Sequence, residues 1–281
     1  FSNRKQQTHA ELPNVFEDSP QVRASSILET SSELLGHDPP LKHVDNHADS
    51  INKVIIVGAG PSGLATAACL RARGVPFVIL ERSSSIASLW KDRTYDRLKM
   101  HIAKEYCKLP LMPLPDSLPP FVTREQFVHY LDEYAARFQL KPRFNETVQS
   151  ASYDESSQTW QVYTTVVGPF AEGPRRHHVK HVGRWLVVAT GENAEAVLPD
   201  IPGLKDFKGS CVHSSQYKNG SYYKGKKVLV IGSGNSGMEI ALDLANNGAD
   251  TSIVVRSPVS FCNTILHHSL TVSYRILQGL L

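Results

Sequence analysis

Residues 54–63 read Val54-Ile55-Ile56-Val57-Gly58-Ala59-Gly60-Pro61-Ser62-Gly63, and this stretch decides the fold. Four apolar, mostly β-branched residues in a row suit a strand buried on both faces of a parallel sheet. The glycines that follow are spaced G-x-G-x-x-G. In that pattern the first glycine makes a tight turn and the second lets a pyrophosphate approach the backbone. The third lets the next helix pack close to the strand. The helix that opens there presents unpaired N–H groups and the positive end of its dipole to an anion. Pro61 suits the first helical turn, where its missing N–H costs nothing, and Ser62 completes the turn. The helix is expected from Leu64 to about Arg73, stopped by Gly74.

Working outward, a second strand, Phe77-Val78-Ile79-Leu80, ends on Glu81, eighteen residues beyond Gly63. A carboxylate at that place can accept hydrogen bonds from the hydroxyls of an adenosine ribose. The whole unit then recurs. Val228-Leu229-Val230-Ile231 leads into Gly232-Ser233-Gly234-Asn235-Ser236-Gly237, with a helix from Met238 to about Asn246 and a strand over Ser252–Val255. This second unit ends on Arg256, nineteen residues beyond Gly237, so the terminal residue has changed sign. A guanidinium can grip a 2′-phosphate that a carboxylate would repel. The first cradle therefore suits FAD, with its unphosphorylated ribose, and the second suits NADPH.

Between the units, Thr123 to about Phe138 reads as an amphipathic helix with a capping box from Thr123 and Gln126. A β-rich stretch is expected over Thr147–Val167, a loop over Gly168–His178 and a strand over Arg184–Ala189. Residues 1–52 are polar and proline-punctuated and read as a disordered leader, with one helix-like stretch at Ala24–Leu35. The domains expected are thus the leader, a first FAD-binding part at 53–190, a first NADP-binding part at 191–258, and a tail at 259–281.

The remaining composition mostly excludes. Of 281 residues 41% are hydrophobic, enough for a sizeable α/β core, and a net charge of +3 without long basic runs argues against nucleic acid. No apolar run is long enough to span a bilayer. Cys69, Cys107, Cys211 and Cys262 form no C-x-x-C pair and read as reduced thiols of a cytoplasmic protein. Cys69 reads as a small buried hydrophobe. No metal site is expected: His177, His178 and His181 read as members of a solvated loop with no carboxylate nearby, and His267-His268 is read the same way.

With these motifs placed, the sequence resembles the flavin-containing monooxygenase superfamily, and within it the plant YUCCA branch, the indole-3-pyruvate monooxygenases of auxin synthesis. The resemblance runs over about 53–258. It is carried by Gly58–Ala68, Glu81-Arg82-Ser83, Ile86–Trp90, Arg93–Lys99, the RWLVVATGENAE stretch of Arg184–Glu195, Gly225–Asp243 and Val254–Ser257. The superfamily signature F-x-G-x-x-x-H-x-x-x-Y appears as Phe207, Gly209, His213 and Tyr217. The resemblance implies two dinucleotide-binding domains, the NADP domain inserted in the FAD domain. It implies oxygenation of a small 2-oxo acid, indole-3-pyruvate, by O2 with NADPH as reductant. It places Arg82, Trp90 and Leu98 beside the flavin, makes His213 and Tyr217 structural supports, and makes Ala189-Thr190-Gly191 a linker between the cofactor domains. The hard chemistry would belong to the cofactor, and no catalytic side chain is identified.

The chain begins at Phe1, and the resemblance stops near Ser257-Pro258. The expectation is a chain without the rest of its second domain and without the late Gly-Asp segment that returns to FAD, holding FAD weakly. Two other classes stay open. A disulfide reductase with two dinucleotides would need a cysteine pair beside the flavin. A nucleotide-binding remnant without turnover would need nothing more.

Overall fold

A computed structural model of the chain describes residues 51–170 and 173–255, all within the unit formed by residues 41–281. Residues 1–50, including Ala24–Leu35, lie outside the described residues, as do Arg256, Cys262, His267-His268 and the 259–281 tail.

The first strand, β1 (Val54–Val57), has Val54, Ile55 and Ile56 buried. It lies between β2 (Phe77–Leu80) and β6 (Trp185–Val188), parallel to both, with Val54 opposite Phe77 and Trp185. A four-residue run can face apolar neighbours on every side only where helices or another sheet cover both surfaces. Helix α1 (Pro61–Ala72) supplies one such cover through Leu64, Ala67 and Ala68. On the other face Ile55 and Leu80 meet Val162 of a second sheet.

Helix α3 (Arg124–Arg137) starts where the capping box requires. The Gln126 N–H donates to Thr123 Oγ1, and the Thr123 N–H donates to Gln126 Oε1 at 3.0 Å. Its buried Phe127, Tyr130, Leu131, Tyr134 and Ala135 recur at helical spacing and close the main core. The Tyr130 and Tyr134 hydroxyls emerge from that core to hold the carbonyls of Met112 and Pro110 at 2.6 and 2.8 Å. A short helix, α2 (Ser88–Asp92), sets the Trp90 ring edge-on to Phe127 at 4.7 Å.

The β-rich stretch is larger than its sequence suggests. Strands β3 (Glu146–Asp154), β4 (Thr159–Phe170) and β5 (Gly173–Gly183) form an antiparallel sheet. The loop expected over Gly168–His178 is instead the end of β4 and the first half of β5, paired continuously from Trp160–Gly183 out to Phe170–Gly173. Ladder bonds to β4 hold a segment whose own residues favour turns.

The same pairing corrects the histidine reading. His177 and His178 are exposed on β5, but His181 is buried and meets a carboxylate: its Nε2 lies 2.5 Å from Glu146 Oε1.

The second unit repeats the first. Strand β7 (Lys227–Ile231) pairs in parallel with β8 (Asp250–Val254), and α4 (Asn235–Asn246) connects them. Where β1 has β6 on its far side, β7 has no third strand among the described residues, and Leu229 and Ile231 are about half exposed.

Candidate functional site

Each glycine of the two cradles sits where its spacing predicts, and for a distinct physical reason. Gly58 and Gly232 turn the chain at φ +107° and +104°, the region L side chains avoid. Their N–H groups close the turn onto the ends of the neighbouring strands, at Leu80 O (2.8 Å) and Val254 O (3.0 Å). A Cβ on Gly63 would fall 2.0 Å from Gly58 O, and one on Gly237 would fall 2.1 Å from Gly232 O, so both helices rest directly on the turn. The middle glycines differ. A Cβ on Gly60 or Gly234 would meet nothing within 4 Å.

Those two openings lie at helix N-termini. Gly60 caps α1 with Pro61 as its first residue, and Gly234 caps α4. The first-turn N–H groups of a helix have no intrahelical acceptor. An open, Cβ-free approach to such donors fits a pyrophosphate, and both cradles offer it. Ser62 lies in the first turn beside Pro61. Ser233, Asn235 and Ser236 surround Gly234 in the same way.

Glu81 is buried at the end of β2. Its Oε2 accepts from the Ala59 N–H at 2.8 Å, and its Oε1 from the Ser83 N–H at 2.9 Å. One oxygen thus ties the acid to the glycine turn itself. A carboxylate has lone pairs for about four donors, so ribose hydroxyls can still be received. Behind it, the Glu81 N–H donates to Arg143 O and its carbonyl accepts from the Glu146 N–H, at 2.9 and 3.0 Å.

The linker residues come to the same place. Ala189 O is the atom a Cβ on Gly58 would strike, at 2.3 Å, so Ala189-Thr190 passes directly behind the first turn. Gly191 then bends the chain at φ +86°. Arg82 pairs with Glu195 and donates to Ala194 O, which also receives Arg93. The Arg82 guanidinium draws Glu195 below the ordinary carboxylate pKa through its hydrogen bond and its charge.

In the F-x-G-x-x-x-H-x-x-x-Y segment, the exposed Phe207 ring folds over Gly209, where a Cβ would lie 2.3 Å from it. His213 Nδ1 accepts from the Ser215 N–H at 3.1 Å. Tyr217 is buried and donates to Asp243 Oδ2 at 2.6 Å, and the Gly220 N–H donates to the same oxygen at 2.8 Å. Burial, then the Asp243 hydrogen bond and charge, push the Tyr217 phenol far above its ordinary value, so it serves as a fixed donor.

Sequence reasoning did not single out Tyr95, Glu239 or Asp243. Tyr95 and Leu98 join Tyr217, Ile240 and Leu244 in a small core, against which Trp90 also packs. Trp90 touches the main core as well, so one side chain bridges the cores of the two units. An available signal was the spacing of Glu239 and Asp243, two acids one helical turn apart beside the apolar Ile240 and Leu244.

A surface depression of about 640 Å³ lined by Ser84, Ile86, Lys91, Gln139, Leu140 and Phe144 shares no residue with either cradle. Among the described residues no cluster of His, Cys, Asp and Glu could hold a metal ion. No helix there is long and apolar enough to cross a membrane.

Known proteins resemble this chain in sequence and in fold. The Probable indole-3-pyruvate monooxygenase YUCCA9 of Arabidopsis thaliana is 56% identical over 210 residues, 74% of this chain and 48% of its own. The indole-3-pyruvate monooxygenase YUCCA4 of Oryza sativa subsp. japonica is 51% identical, over 78% of this chain and 51% of its own. The chain thus spans about half the length of these curated relatives. Among solved structures, a flavin-containing monooxygenase from Stenotrophomonas maltophilia superposes with a TM-score of 0.64 at 27% identity, over 75% of this chain and 60% of that one. A bacillithiol disulfide reductase from Bacillus cereus gives 0.61 at 25%, over 74% and 59%. Two glycine cradles of one geometry, joined through Trp90 and Tyr95, lie within residues 51–272, the range matched by the family described as flavin-binding monooxygenase-like, and the chain belongs to that family.

Proposed function

We propose that the protein is an FAD- and NADPH-dependent monooxygenase. Indole-3-pyruvate, O2, NADPH and a proton would give indole-3-acetate, CO2, NADP+ and water, the auxin-forming step, in the cytosol. One observation carries the reading: in both cradles the third glycine lets the helix rest on the turn while the middle glycine, at the helix N-terminus, is open, as two separate dinucleotides require. The likeness to the named relatives supports the substrate. Bound FAD would supply the redox and oxygen chemistry.

The protein's own part is binding and orientation. Gly60 and the α1 N-terminus would take the FAD pyrophosphate, and Glu81 the adenosine ribose. Arg82 and Arg93 would hold the linker at Ala194 beside it. Trp90 packs against both cores and Leu98 belongs to the second, where they would help exclude water from the reacting region. Gly234 and the α4 N-terminus would take the NADPH pyrophosphate. Arg256, just past β8, would grip the 2′-phosphate. Arg256→Glu should then weaken NADPH relative to NADH about tenfold to a hundredfold, from one or more charge-assisted bonds of ~1.5–3 kcal/mol. An unchanged ratio of the two dissociation constants would remove Arg256 from that role.

The decisive test supplies FAD, NADPH, indole-3-pyruvate and 18O2, with catalase present to destroy free peroxide. Indole-3-acetate carrying one labelled oxygen is expected. FAD-loaded protein that oxidises NADPH without forming the labelled acid would overturn the reading.

A second reading, nucleotide binding without turnover, is favoured by the third strand that β1 has and that β7 lacks among the described residues. It predicts FAD and NADP+ binding with no labelled product. The disulfide-reductase reading has less support: it needs a redox cysteine pair, and Cys69, Cys107, Cys211 and Cys262 form no C-x-x-C motif.

A further inference from the structure

Tyr95 belongs by sequence to the first unit, yet its side chain ends at the second. The ring is 3% exposed, and its hydroxyl donates to Glu239 Oε2 at 2.8 Å. Glu239 lies in α4, two residues beyond Gly237, the last glycine of the second turn.

The rest of the segment is fastened alongside. His101 Nε2 lies 3.5 Å from Glu239 Oε1, and an Arg97 nitrogen 3.8 Å from Asp243 Oδ1. The Asp96 N–H donates to Lys218 O at 2.9 Å. Lys218 Nζ in turn donates to the carbonyls of Asp92 and Thr94, at 2.6 and 3.2 Å.

Packing alone would not select tyrosine here. The ring's neighbours are Leu98, Tyr217, Ile240 and Leu244, which a phenylalanine would satisfy equally. The hydroxyl is directed wholly at the cradle. A hydrogen bond to a carboxylate is among the stronger kinds, and this one is part-buried.

We propose that Tyr95 is a positioning residue of the second nucleotide cradle: the first unit contributes its phenol to fix Glu239 at the start of α4, and with it the orientation of a bound nicotinamide dinucleotide toward the first cradle. This rests on the nicotinamide assignment made above. Burial and Glu239 hold the phenol far above its ordinary pKa, so it stays protonated at neutral pH and remains a donor.

The test is hydrogen exchange, read by mass spectrometry on the full 281-residue chain with and without NADP+. The unaltered chain, Tyr95→Phe and Glu239→Gln are compared, with NADP+ affinity measured by fluorescence. In Tyr95→Phe, residues 235–240 should exchange at least fivefold faster, NADP+ should no longer protect 93–101, and its affinity should fall about three- to tenfold. Glu239→Gln keeps an acceptor oxygen for the phenol and should lie close to the unaltered chain. A lower melting temperature in Tyr95→Phe, with affinity and exchange at 235–240 unchanged, would show a packing role and overturn the proposal. An unaltered chain that binds no NADP+ would instead refute the nicotinamide assignment, while faster exchange at 235–240 in Tyr95→Phe would still support the link between the units.

Discussion

Gly60→Ala is expected to leave the chain folded and unable to hold FAD, whereas Gly63→Ala, three residues on, is expected to cost the fold itself. A methyl group at Gly60 meets nothing within 4 Å, and one at Gly63 falls 2.0 Å from Gly58 O. The Gly58 oxygen is backbone, so α1 or the turn must move. Overpacking of this kind costs about 3 kcal/mol, a large part of a domain stability of about 5–15 kcal/mol. The melting temperature should fall by about 6–12 °C. Alanine at Gly60 has an ordinary backbone, φ −77°, and its small capping penalty is offset by reduced freedom in the unfolded chain, so stability should change by less than about 1 kcal/mol. Its methyl would stand where the pyrophosphate approaches. Losing two charge-assisted hydrogen bonds of ~1.5–3 kcal/mol each predicts FAD affinity at least about a hundredfold weaker, measured by quenching of flavin fluorescence.

The second cradle supplies an internal control. Gly237→Ala, whose Cβ falls 2.1 Å from Gly232 O, should destabilise as Gly63→Ala does. Gly234→Ala should spare the fold and FAD and weaken only NADP+. Gly60→Ala binding FAD within threefold of the unaltered chain would mean that the opening is not the phosphate site.

The cradles were legible because their requirements are local. A turn at positive φ, a helix resting on it and a Proline at the first helical position are each written in adjacent residues. The Thr123–Gln126 cap is local in the same sense. What escaped was non-local. Nothing near Gly173–His178 announces a strand, since β5 is held there by ladder bonds to β4. The Tyr95–Glu239 bond joins residues 144 apart, and no pattern around Thr94-Tyr95-Asp96 distinguishes it from a surface loop. Trp90, placed near the flavin by resemblance, packs against the cores of both units, and Leu98 belongs to the second of them, positions that periodicity in so short a segment could not reveal.

The misread histidine leads to the second large effect. Glu146→Ala is expected to destabilise the protein by about 3 kcal/mol, because Glu146, on β3, is the common partner of groups from two other strands and a loop. Its Oε1 receives the Thr164 hydroxyl at 2.6 Å and lies 2.5 Å from His181 Nε2; its Oε2 lies 3.0 Å from Arg143 Nε. His181 Nδ1 is buried with no hydrogen-bond partner, so the ring depends on Glu146 for its hydrogen bond. Removing the carboxylate leaves the Thr164 hydroxyl only its longer bond to Val179 O at 3.3 Å and orphans a buried ring nitrogen, at ~1–3 kcal/mol for the unsatisfied group. Arg143 and Glu146 also carry the backbone bonds that hold Glu81, so FAD affinity should fall in the same variant. Burial raises the Glu146 pKa, but the hydrogen bonds from His181 and Thr164 and the Arg143 charge outweigh it, and the net value is lowered from 4.5. A lowered carboxylate contributes its full stability above the unfolded value and loses it as the pH falls through the folded one. The melting temperature should therefore drop more steeply below about pH 4 in the unaltered chain than in Glu146→Gln, which keeps an acceptor oxygen but cannot ionise. Equal acid limbs in the two proteins would show that the cluster does not store its stabilisation in the Glu146 charge.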